Sequence, residues 1–242
     1  MILGAIPARW GSTRFPGKAL ATIEGRPLVA WVVEAALAAR SLDAVVVVTD
    51  DERIASAARS AGGRAVVIPR EAASGSDRIA QLLAGDPACA EARIVVNVQG
   101  DEPLLEPAAI DASVAALDED PAADIATLAR PLRADESADD PALVKLAVGE
   151  HGYALYFSRA PIPHRAATRV HVGLYAFRRD AFDRFAAAAP TTLERAERLE
   201  QLRAFELGLR IRVVPYDSRS IGVDLPADVE RVTAALARHA GR

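Results

Sequence analysis

The sequence is poor in cysteine, lysine and long apolar runs, and these absences exclude several classes of protein. Cys89 is the single cysteine of the 242 residues, which excludes an internal disulfide and a cysteine-based zinc site. No apolar run approaches the roughly 20 residues of a membrane-spanning helix. The net charge of −4 gives no electrostatic reason to expect binding to nucleic acid or to an anionic membrane.

The composition is that of an ordinary soluble globular protein, and the length allows one domain with a large core. The sequence opens on a strand pattern, with no basic segment followed by an apolar one. We therefore expect no signal peptide and a cytoplasmic location.

Lysine occurs at two positions, Lys18 and Lys145, and the other basic residues are arginine. Lys18 follows Gly17 inside a cationic loop, where a compact ammonium is suited to a phosphate. We therefore predict that Lys18 contacts phosphate. The setting of Lys145 indicates no particular role.

The loop at residues 7–18 is the strongest indication of function. It follows an apolar stretch at residues 1–6 that predicts a buried parallel strand. It contains Arg9, Arg14 and Lys18, and no carboxylate precedes Glu24. Backbone N–H groups, hydroxyls and fixed positive charge at the end of a strand favour a polyphosphate ligand.

This loop is neither a Walker phosphate loop nor a dinucleotide fingerprint. Five residues separate Gly11 from Gly17, and Ala19 rather than a hydroxyl residue follows Lys18. A Walker loop needs four residues and a hydroxyl at these places, and the sequence has no Gly-x-Gly-x-x-Gly. These observations disfavour a kinase-like ATPase and an NAD enzyme.

Strand and helix patterns alternate along the first half. The spacing predicts strands at 43–49, 65–68 and 93–98 and helices at 27–39, 76–83 and 108–117, with Asp50 and Asp51 opening another helix after the second strand. In the second half it predicts strands at 124–129, 143–148, 170–177 and 211–214, and helices at 180–187, 193–205 and 226–238. This alternation predicts a right-handed α/β sandwich with ligands at the carboxyl ends of parallel strands.

Two aspartates follow short apolar segments. Asp101 comes just after the 93–98 strand, and Asp224 lies between Val223 and the last predicted helix. Two carboxylates brought together by the fold suit Mg²⁺ bound to nucleotide phosphates. The alternatives are a simple turn at Asp101 and a helix N-cap at Asp224, and spacing alone does not decide between them.

Three further sites are open to a structural or a functional interpretation. Residues 74–78 (SGSDR) either cap a helix or contact a base or ribose. Arg159 follows an aromatic run and suits a carboxylate or a stacked ring. A lone histidine in a strand, such as His171, is usually a hydrogen-bonded structural residue.

Taken in order, these segments resemble the CMP-KDO synthetases, the 3-deoxy-manno-octulosonate (KDO) cytidylyltransferases. The matching stretches are PARWGSTRFPGKAL (7–20), ASGSDRIAQ (73–81), VNVQGDEPLL (96–105), GYALYFSRAPIP (152–163), HVGLYAFR (171–178), LERAERLEQLRAFELGLRI (193–211) and GVDLPADVERV (222–232). They cover nearly the whole chain.

The resemblance implies an α/β nucleotidyltransferase fold, a three-layer Rossmann-like (GT-A-like) sandwich with a mainly parallel central sheet. It implies one domain over 1–242, with a CTP-binding part at about 1–120 and an acceptor and dimerisation part at about 121–215, inserted before the final strand and helix. The implied partners are CTP, a small acidic acceptor and a second copy of the chain.

The resemblance also implies the reaction, in which CTP and an acid give a CMP-acid and pyrophosphate, and the residues that take part. The implied catalytic residues are Arg9, Lys18, Asp101 and Asp224, with Mg²⁺ on the two aspartates. The implied CTP-binding residues are Ala8, Arg9, Gly11, Ser12, Arg14, Lys18, Ser74, Gly75, Ser76 and Arg78. The implied acceptor-binding residues are Gln99, Arg159, His171, Tyr175, Glu200 and Gln201.

Several departures from the family pattern lie on the acceptor side. Ala72 replaces a usual histidine, residues 140–145 differ from the usual Asn-Pro-Asn-x-Val-Lys, and Val170 replaces a basic residue. Seven residues separate Pro163 from His171, fewer than is usual. These departures keep a small phosphonic acid such as phosphonoformate open as an alternative acceptor. A non-catalytic nucleotide-binding protein is a further alternative.

Overall fold

Apolar β-branched runs form the buried strands of the computed structural model, which describes residues 1–12, 14–165 and 167–240. The chain divides into two compact units. The first unit consists of Met1–Asp111 and Arg219–Arg242, and the second of Ala112–Ser218.

The first unit contains a parallel sheet in the order β6-β1-β4-β5. Its strands are β1 (Ile2–Ala8), β4 (Ala44–Thr49), β5 (Arg64–Val67) and β6 (Ile94–Val98). Val47, Val48, Val95 and Val96 are buried, as expected for parallel strands that are covered on both faces.

The connections of this unit are helical. They are α1 (Leu28–Leu37), α2 (Glu52–Ser60), α3 (Gly75–Gly85), α4 (Pro87–Ala90) and α9 (Pro226–Ala240), and α5 (Pro107–Glu119) begins here and ends in the second unit. The short strands β2 (Thr22–Ile23) and β3 (Arg26–Pro27) pair antiparallel. Because Pro27 belongs to β3, α1 begins one residue later than predicted, at Leu28.

The second unit contains mixed strands. They are β7 (Ile125–Pro131), β8 (Lys145–Val148), β9 (Ala154–Ser158), β10 (Arg169–Arg178) and β11 (Ile211–Pro215). Strand β7 pairs parallel with β11 and antiparallel with β10, and β8 pairs antiparallel with both β10 and β9. Strand β9 was not predicted from the sequence. The predicted α/β class with a mainly parallel central sheet is confirmed.

The helix predicted at 193–205 is wrong as one continuous element. The chain forms α6 (Arg179–Ala187), α7 (Thr192–Glu197) and α8 (Leu202–Glu206), and Arg198 between the last two has a positive φ of 55°. The Glu197 carboxylate accepts hydrogen bonds from Ser158 Oγ and Arg159 N, at 2.8 and 3.0 Å. The helix is interrupted directly after Glu197, and these tertiary contacts of Glu197 outweigh the local helical pattern.

Candidate active site

A cleft of about 290 Å³ lies in the first unit, at the carboxyl ends of its parallel strands. Ligands bind at this edge in open α/β sheets. The residues that line it are Pro7, Ala8, Arg9, Ser12, Arg14, Lys18, Ala19, Ser74, Gly75, Arg78, Gln99, Gly100, Asp101 and Asp224. Four separate segments of the sequence therefore meet here.

The predicted phosphate loop folds around the backbone of Trp10. The Trp10 carbonyl accepts hydrogen bonds from Ser12 N and Gly17 N, both at 2.9 Å. Gly17 has a φ of 71°, and a Cβ there would lie 2.8 Å from the Trp10 ring. Glycine is therefore required at this position both for its backbone conformation and for space. Thr13 of the loop lies outside the described residues.

Lys18 lies between the two predicted metal-binding aspartates. Its ammonium is 2.5 Å from Asp101 Oδ2 and 3.5 Å from Asp224 Oδ1, and it donates to the Val223 carbonyl at 3.2 Å. Because both oxygens contact the same ammonium, Asp101 Oδ2 and Asp224 Oδ1 lie close to each other. The fold thus brings Asp101 and Asp224 together, as the sequence analysis predicted.

The carboxylate of Asp224 does not act as the cap of α9. Asp228 Oδ2 accepts hydrogen bonds from Asp224 N and Leu225 N, at 2.9 and 2.8 Å. Asp228 therefore caps the helix, and the Asp224 side chain is turned to Lys18 and to Arg14, whose Nη2 lies at 2.9 Å. Asp224 is also held in place by a backbone hydrogen bond of its neighbour, from Val223 N to the Asp101 carbonyl at 2.9 Å.

This donor set fits a hard divalent cation. Asp101 and Asp224 offer carboxylate oxygens, which Mg²⁺ prefers, and Mg²⁺ is commonly bound by one or two carboxylates together with substrate phosphates. In the part of the chain that the structure describes, no group of three or more His, Cys, Asp or Glu side chains is arranged to hold a metal ion. The site therefore suits a metal that arrives with a phosphate ligand.

The second polar loop both caps α3 and borders the cleft. Ser74 Oγ accepts from Asp77 N, and Asp77 Oδ2 accepts from Ser74 N, both at 3.1 Å. The Arg78 guanidinium is buried and donates to the Ile68 carbonyl at 3.1 Å. The capping interpretation is thus correct, and Ser74, Gly75 and Arg78 still line the cleft.

Among the predicted CTP-binding residues, Gly11 and Ser76 do not line this cleft. Gln99, which was predicted to bind the acceptor, does line it, and its Nε2 donates to Asn97 Oδ1 at 3.3 Å. The other predicted acceptor residues lie in the second unit.

His171 and Tyr175 lie side by side on β10, with ring centroids 5.2 Å apart. His171 Nε2 lies 2.9 Å from Thr127 Oγ1, and that hydroxyl donates its single proton to the Leu174 carbonyl at 2.8 Å. His171 must therefore donate through Nε2, which leaves its Nδ1 as an acceptor. Burial lowers the pKa of His171 to about 3, so the ring is neutral at physiological pH.

The remaining residues predicted to bind the acceptor, which are Arg159, Glu200 and Gln201, contact or pack against other parts of the protein. The Arg159 guanidinium donates to the carbonyls of Glu197 and Pro141, at 3.0 and 2.7 Å. Gln201 is buried, and Glu200 Oε1 lies 3.6 Å from Nη2 of Arg203. The bond from Arg159 to the Glu197 carbonyl ties the end of α7 to the residue that follows β9.

Two polar residues have contacts that were not predicted from the sequence. Lys145, for which no role was predicted, is fully buried, and its ammonium donates to the carbonyls of Asp140, Leu143 and Arg159. Asp50 was placed at the start of α2, but Asp51 is the N-cap there, and Asp50 instead accepts a hydrogen bond from Trp10 N at 2.9 Å. The rarity of lysine and the position of Asp50 at a strand end were the available signals.

Glu102 directly follows Asp101 in the sequence. Burial raises the pKa of Glu102 to about 7. Its Oε2 accepts a hydrogen bond from Ser220 Oγ at 2.8 Å, which adds a second link between the segments that carry Asp101 and Asp224.

Comparisons with known proteins agree with this geometry. Residues 3–211 match the family described as Cytidylyltransferase. The 3-deoxy-manno-octulosonate cytidylyltransferase of Anaeromyxobacter dehalogenans strain 2CP-1 is 51% identical over 241 residues, which cover 96% of each chain. The chain belongs to the 3-deoxy-manno-octulosonate cytidylyltransferase family. The family predicted from the sequence motifs is therefore confirmed.

Other members of the family and of the fold support the assignment. The 3-deoxy-manno-octulosonate cytidylyltransferase of Geobacter sulfurreducens is 47% identical over 251 residues, covering 97% of this chain and 99% of that one. A solved structure of CMP:2-keto-3-deoxy-manno-octonic acid synthetase in complex with CTP is 38% identical, with a TM-score of 0.90 over 98% of this chain and 99% of that one. The 4-diphosphocytidyl-2C-methyl-D-erythritol synthase of Anaerococcus prevotii has 13% identity and a TM-score of 0.67, with 98% of each chain covered, which shows a shared fold.

Proposed function

We propose that this cytidylyltransferase transfers CMP from CTP to KDO, with release of pyrophosphate. The observation that carries the proposal is the meeting of Arg9, Arg14 and Lys18 with Asp101 and Asp224 in one cleft. Such a cluster suits a triphosphate with a divalent cation, and the similar synthetase of known structure is complexed with CTP. Because CTP is an intracellular nucleotide, we place the reaction in the cytoplasm. Within the described residues, no helix is long and apolar enough to cross a membrane.

In the proposed reaction, a hydroxyl of the acceptor loses its proton to solvent and its oxygen attacks the α-phosphorus of CTP. The bond between that phosphorus and the bridging oxygen of the β-phosphate breaks, and pyrophosphate leaves. The side chains of Arg9, Arg14 and Lys18 bind phosphate oxygens and neutralise the charge that develops on the leaving group. Their main contribution is therefore alignment and electrostatic stabilisation rather than covalent catalysis.

Asp101 and Asp224 would hold Mg²⁺, since their oxygens are close together and face the same cleft. Mg²⁺ bound there would neutralise phosphate charge and lower the pKa of the attacking hydroxyl. The Lys18 ammonium pairs with both carboxylates. Phosphate oxygens entering the cleft offer the ammonium a new partner at the same place.

We also propose which residues contact the cytidine of CTP and which bind the acceptor. Ser74, Gly75 and Arg78 border the cleft and would contact cytidine. His171 and Tyr175 would bind the acceptor, to which His171 offers Nδ1 as a hydrogen-bond acceptor. The carbonyl contacts of Arg159 favour a role for that residue in holding the acceptor segment in place.

The test measures pyrophosphate release from CTP and Mg²⁺, with KDO and phosphonoformate as parallel acceptors. We expect turnover with KDO, and lower turnover when UTP, ATP or GTP replaces CTP. Turnover with phosphonoformate alone would refute the proposed acceptor and would explain the short segment between Pro163 and His171. No pyrophosphate release with either acceptor would contradict the proposed reaction.

The metal assignment has its own test. Asp101→Asn should lower kcat by a factor on the order of 100 or more, because it removes one of the two charges that hold the cation. Asp180→Asn, at an exposed position at the start of α6, is the matched control. Unchanged turnover of Asp101→Asn would remove Asp101 from the metal site.

We also propose that two copies of the chain associate through β9. Among the described strands, β9 pairs with β8, and Leu155 on β9 is 63% exposed. An apolar edge strand is suited to pairing with another chain. Sedimentation should show a dimer that Leu155→Glu converts to a monomer, whereas Leu37→Glu, at a 46% exposed leucine of α1, should leave the dimer intact. A wild-type monomer would refute the proposal.

A further inference from the structure

The junction between β4 and α2 contacts the phosphate loop at Trp10. Asp50 Oδ1 accepts a hydrogen bond from Trp10 N at 2.9 Å. The guanidinium of Arg53 stacks on the Trp10 ring, with its central carbon 3.6 Å from the ring centroid. One residue of the junction thus holds the backbone of Trp10, and the other holds its side chain.

Arg53 is itself fixed in the orientation that the stacking requires. Its Nε and Nη2 donate to the two carboxylate oxygens of Asp51, at 2.9 and 2.6 Å. Asp51 also caps α2 by accepting from Arg53 N at 2.8 Å. A bidentate pair of this kind fixes the plane of the guanidinium, so that little conformational freedom remains to be lost when Trp10 packs on it.

Trp10 passes this constraint to both ends of the phosphate loop. Its N–H belongs to the peptide bond that follows Arg9, so the bond to Asp50 fixes the backbone from which the Arg9 side chain enters the cleft. Its ring packs on Gly17, the residue before Lys18, closely enough that a Cβ at position 17 would lie 2.8 Å from the ring. The Trp10 carbonyl also accepts from Gly17 N at 2.9 Å.

We propose that Asp50 and Arg53 are positioning residues, which act through Trp10 to place Arg9 and Lys18 for binding the phosphates of the nucleotide. The inference rests on the proposed function, because it takes the cleft to bind CTP. Neither Asp50 nor Arg53 lines the cleft. Both contact Trp10, and Asp50 also faces Arg78 at 3.3 Å. Asp50 and Arg53 should therefore strengthen the binding of the β- and γ-phosphates of CTP rather than that of the cytidine.

The experiment measures the dissociation constants of CTP, CDP and CMP by calorimetry at a fixed Mg²⁺ concentration and without acceptor. Asp50→Ala should weaken CTP binding by a factor on the order of 10, because the Trp10 N–H loses a charged acceptor. Arg53→Leu should weaken it about 3-fold through loss of the stacking contact. CMP affinity should change by less than about 2-fold in Arg53→Leu, with CDP between CTP and CMP.

Two comparisons separate this role from a general structural one. Arg59→Leu changes an arginine on the same helix that pairs with Glu52, and it should leave all three dissociation constants unchanged. Asp50→Asn keeps an oxygen acceptor for Trp10 N but loses the charge that faces Arg78 at 3.3 Å. Rescue of CTP binding by asparagine is therefore expected if Asp50 acts through Trp10, and failure to rescue would overturn that path.

An equal loss of CTP and CMP affinity in Arg53→Leu, or no loss of either, would overturn the inference. Arg53 is 59% exposed, so its variant tests the idea even if Asp50→Ala does not fold. Normal CTP binding by the wild type with unchanged variants refutes this inference alone. A wild type that binds neither CTP nor CMP refutes the proposed function along with it.

Discussion

Acidification should destabilise the fold through His171. The ring is held in one neutral form, because Thr127 Oγ1 accepts a hydrogen bond from its Nε2 and donates its own proton to the Leu174 carbonyl. Phe157 and Tyr175 pack against the ring, with centroids 5.3 and 5.2 Å away. A protonated ring would place a charge in this aromatic cluster.

The magnitude follows from the difference between the folded and unfolded pKa values. Burial lowers the pKa of His171 to about 3, whereas an unfolded histidine titrates near pH 6.5. As the pH falls, the unfolded chain binds a proton first, so stability is lost progressively from about pH 6.5 down to the folded pKa. At one pH unit below the unfolded value, the loss is about 1.4 kcal/mol.

The assay is urea unfolding of wild type and His171→Phe at about pH 7.5 and pH 5.5. The free energy of unfolding of the wild type should fall by about 1.4 kcal/mol more than that of the variant over this interval. His151→Gln, at an exposed turn, should behave like the wild type. Parallel pH dependence of wild type and His171→Phe would refute the argument that the folded protein keeps this ring neutral.

Three further substitutions test buried polar groups elsewhere. Lys145→Met should lower the free energy of unfolding by about 3 kcal/mol, because it leaves buried carbonyls without their donor; a loss well below 1 kcal/mol by urea unfolding would contradict this. Asp228→Ala should lower the free energy of unfolding by about 1 kcal/mol through loss of the α9 cap. It should also raise the Mg²⁺ concentration needed for half-maximal turnover, because Asp228 accepts a hydrogen bond from Asp224 N. An unchanged Mg²⁺ requirement would contradict the second effect. Arg203→Met should cost about 3–5 kcal/mol because it leaves Glu194 charged and buried, and the double variant with Glu194→Met should recover much of it; no recovery would contradict the pairing.

The regular elements of the first unit could be predicted because local pattern and tertiary setting agree. The run of valines in β4 is both β-branched and fully buried, so propensity and burial point to the same structure. The break at Arg198 could not be predicted, since it depends on Glu197 meeting Ser158 and Arg159, which lie about 40 residues earlier in the chain. Strand β9 was missed because Leu155 is exposed and interrupts the expected alternation.

The site was predictable where strand ends carry polar residues. Asp101 follows a buried strand, where ligands bind in open α/β sheets, whereas the choice of a shared metal site for Asp101 and Asp224 over a turn and a helix N-cap came from the resemblance to the family. The position of ligands at strand ends does not indicate which other groups those ends contact. The hydrogen bond from Trp10 N to Asp50 and the position of Lys18 between the two aspartates were therefore visible only in the structure. The buried Lys145 ammonium binds two carbonyls of the segment just before it, at Asp140 and Leu143, and a third at Arg159, an arrangement that no local pattern indicates.

Pro7 lies between two glycines that leave almost no space beside it. A Cβ at Gly100 would lie 2.7 Å from the Pro7 carbonyl oxygen, and one at Gly75 would lie 3.1 Å from Pro7 Cγ. All three residues line the cleft, so this part of its wall is built from main chain and one rigid ring. In a saturation library, position 100 should reject nearly every residue irrespective of its polarity, because the close atom there belongs to the backbone, whereas a side chain at position 75 requires the Pro7 ring to shift by a few tenths of an ångström. Changes of substrate preference must then arise from residues elsewhere around the cleft, while this part of the wall stays constant.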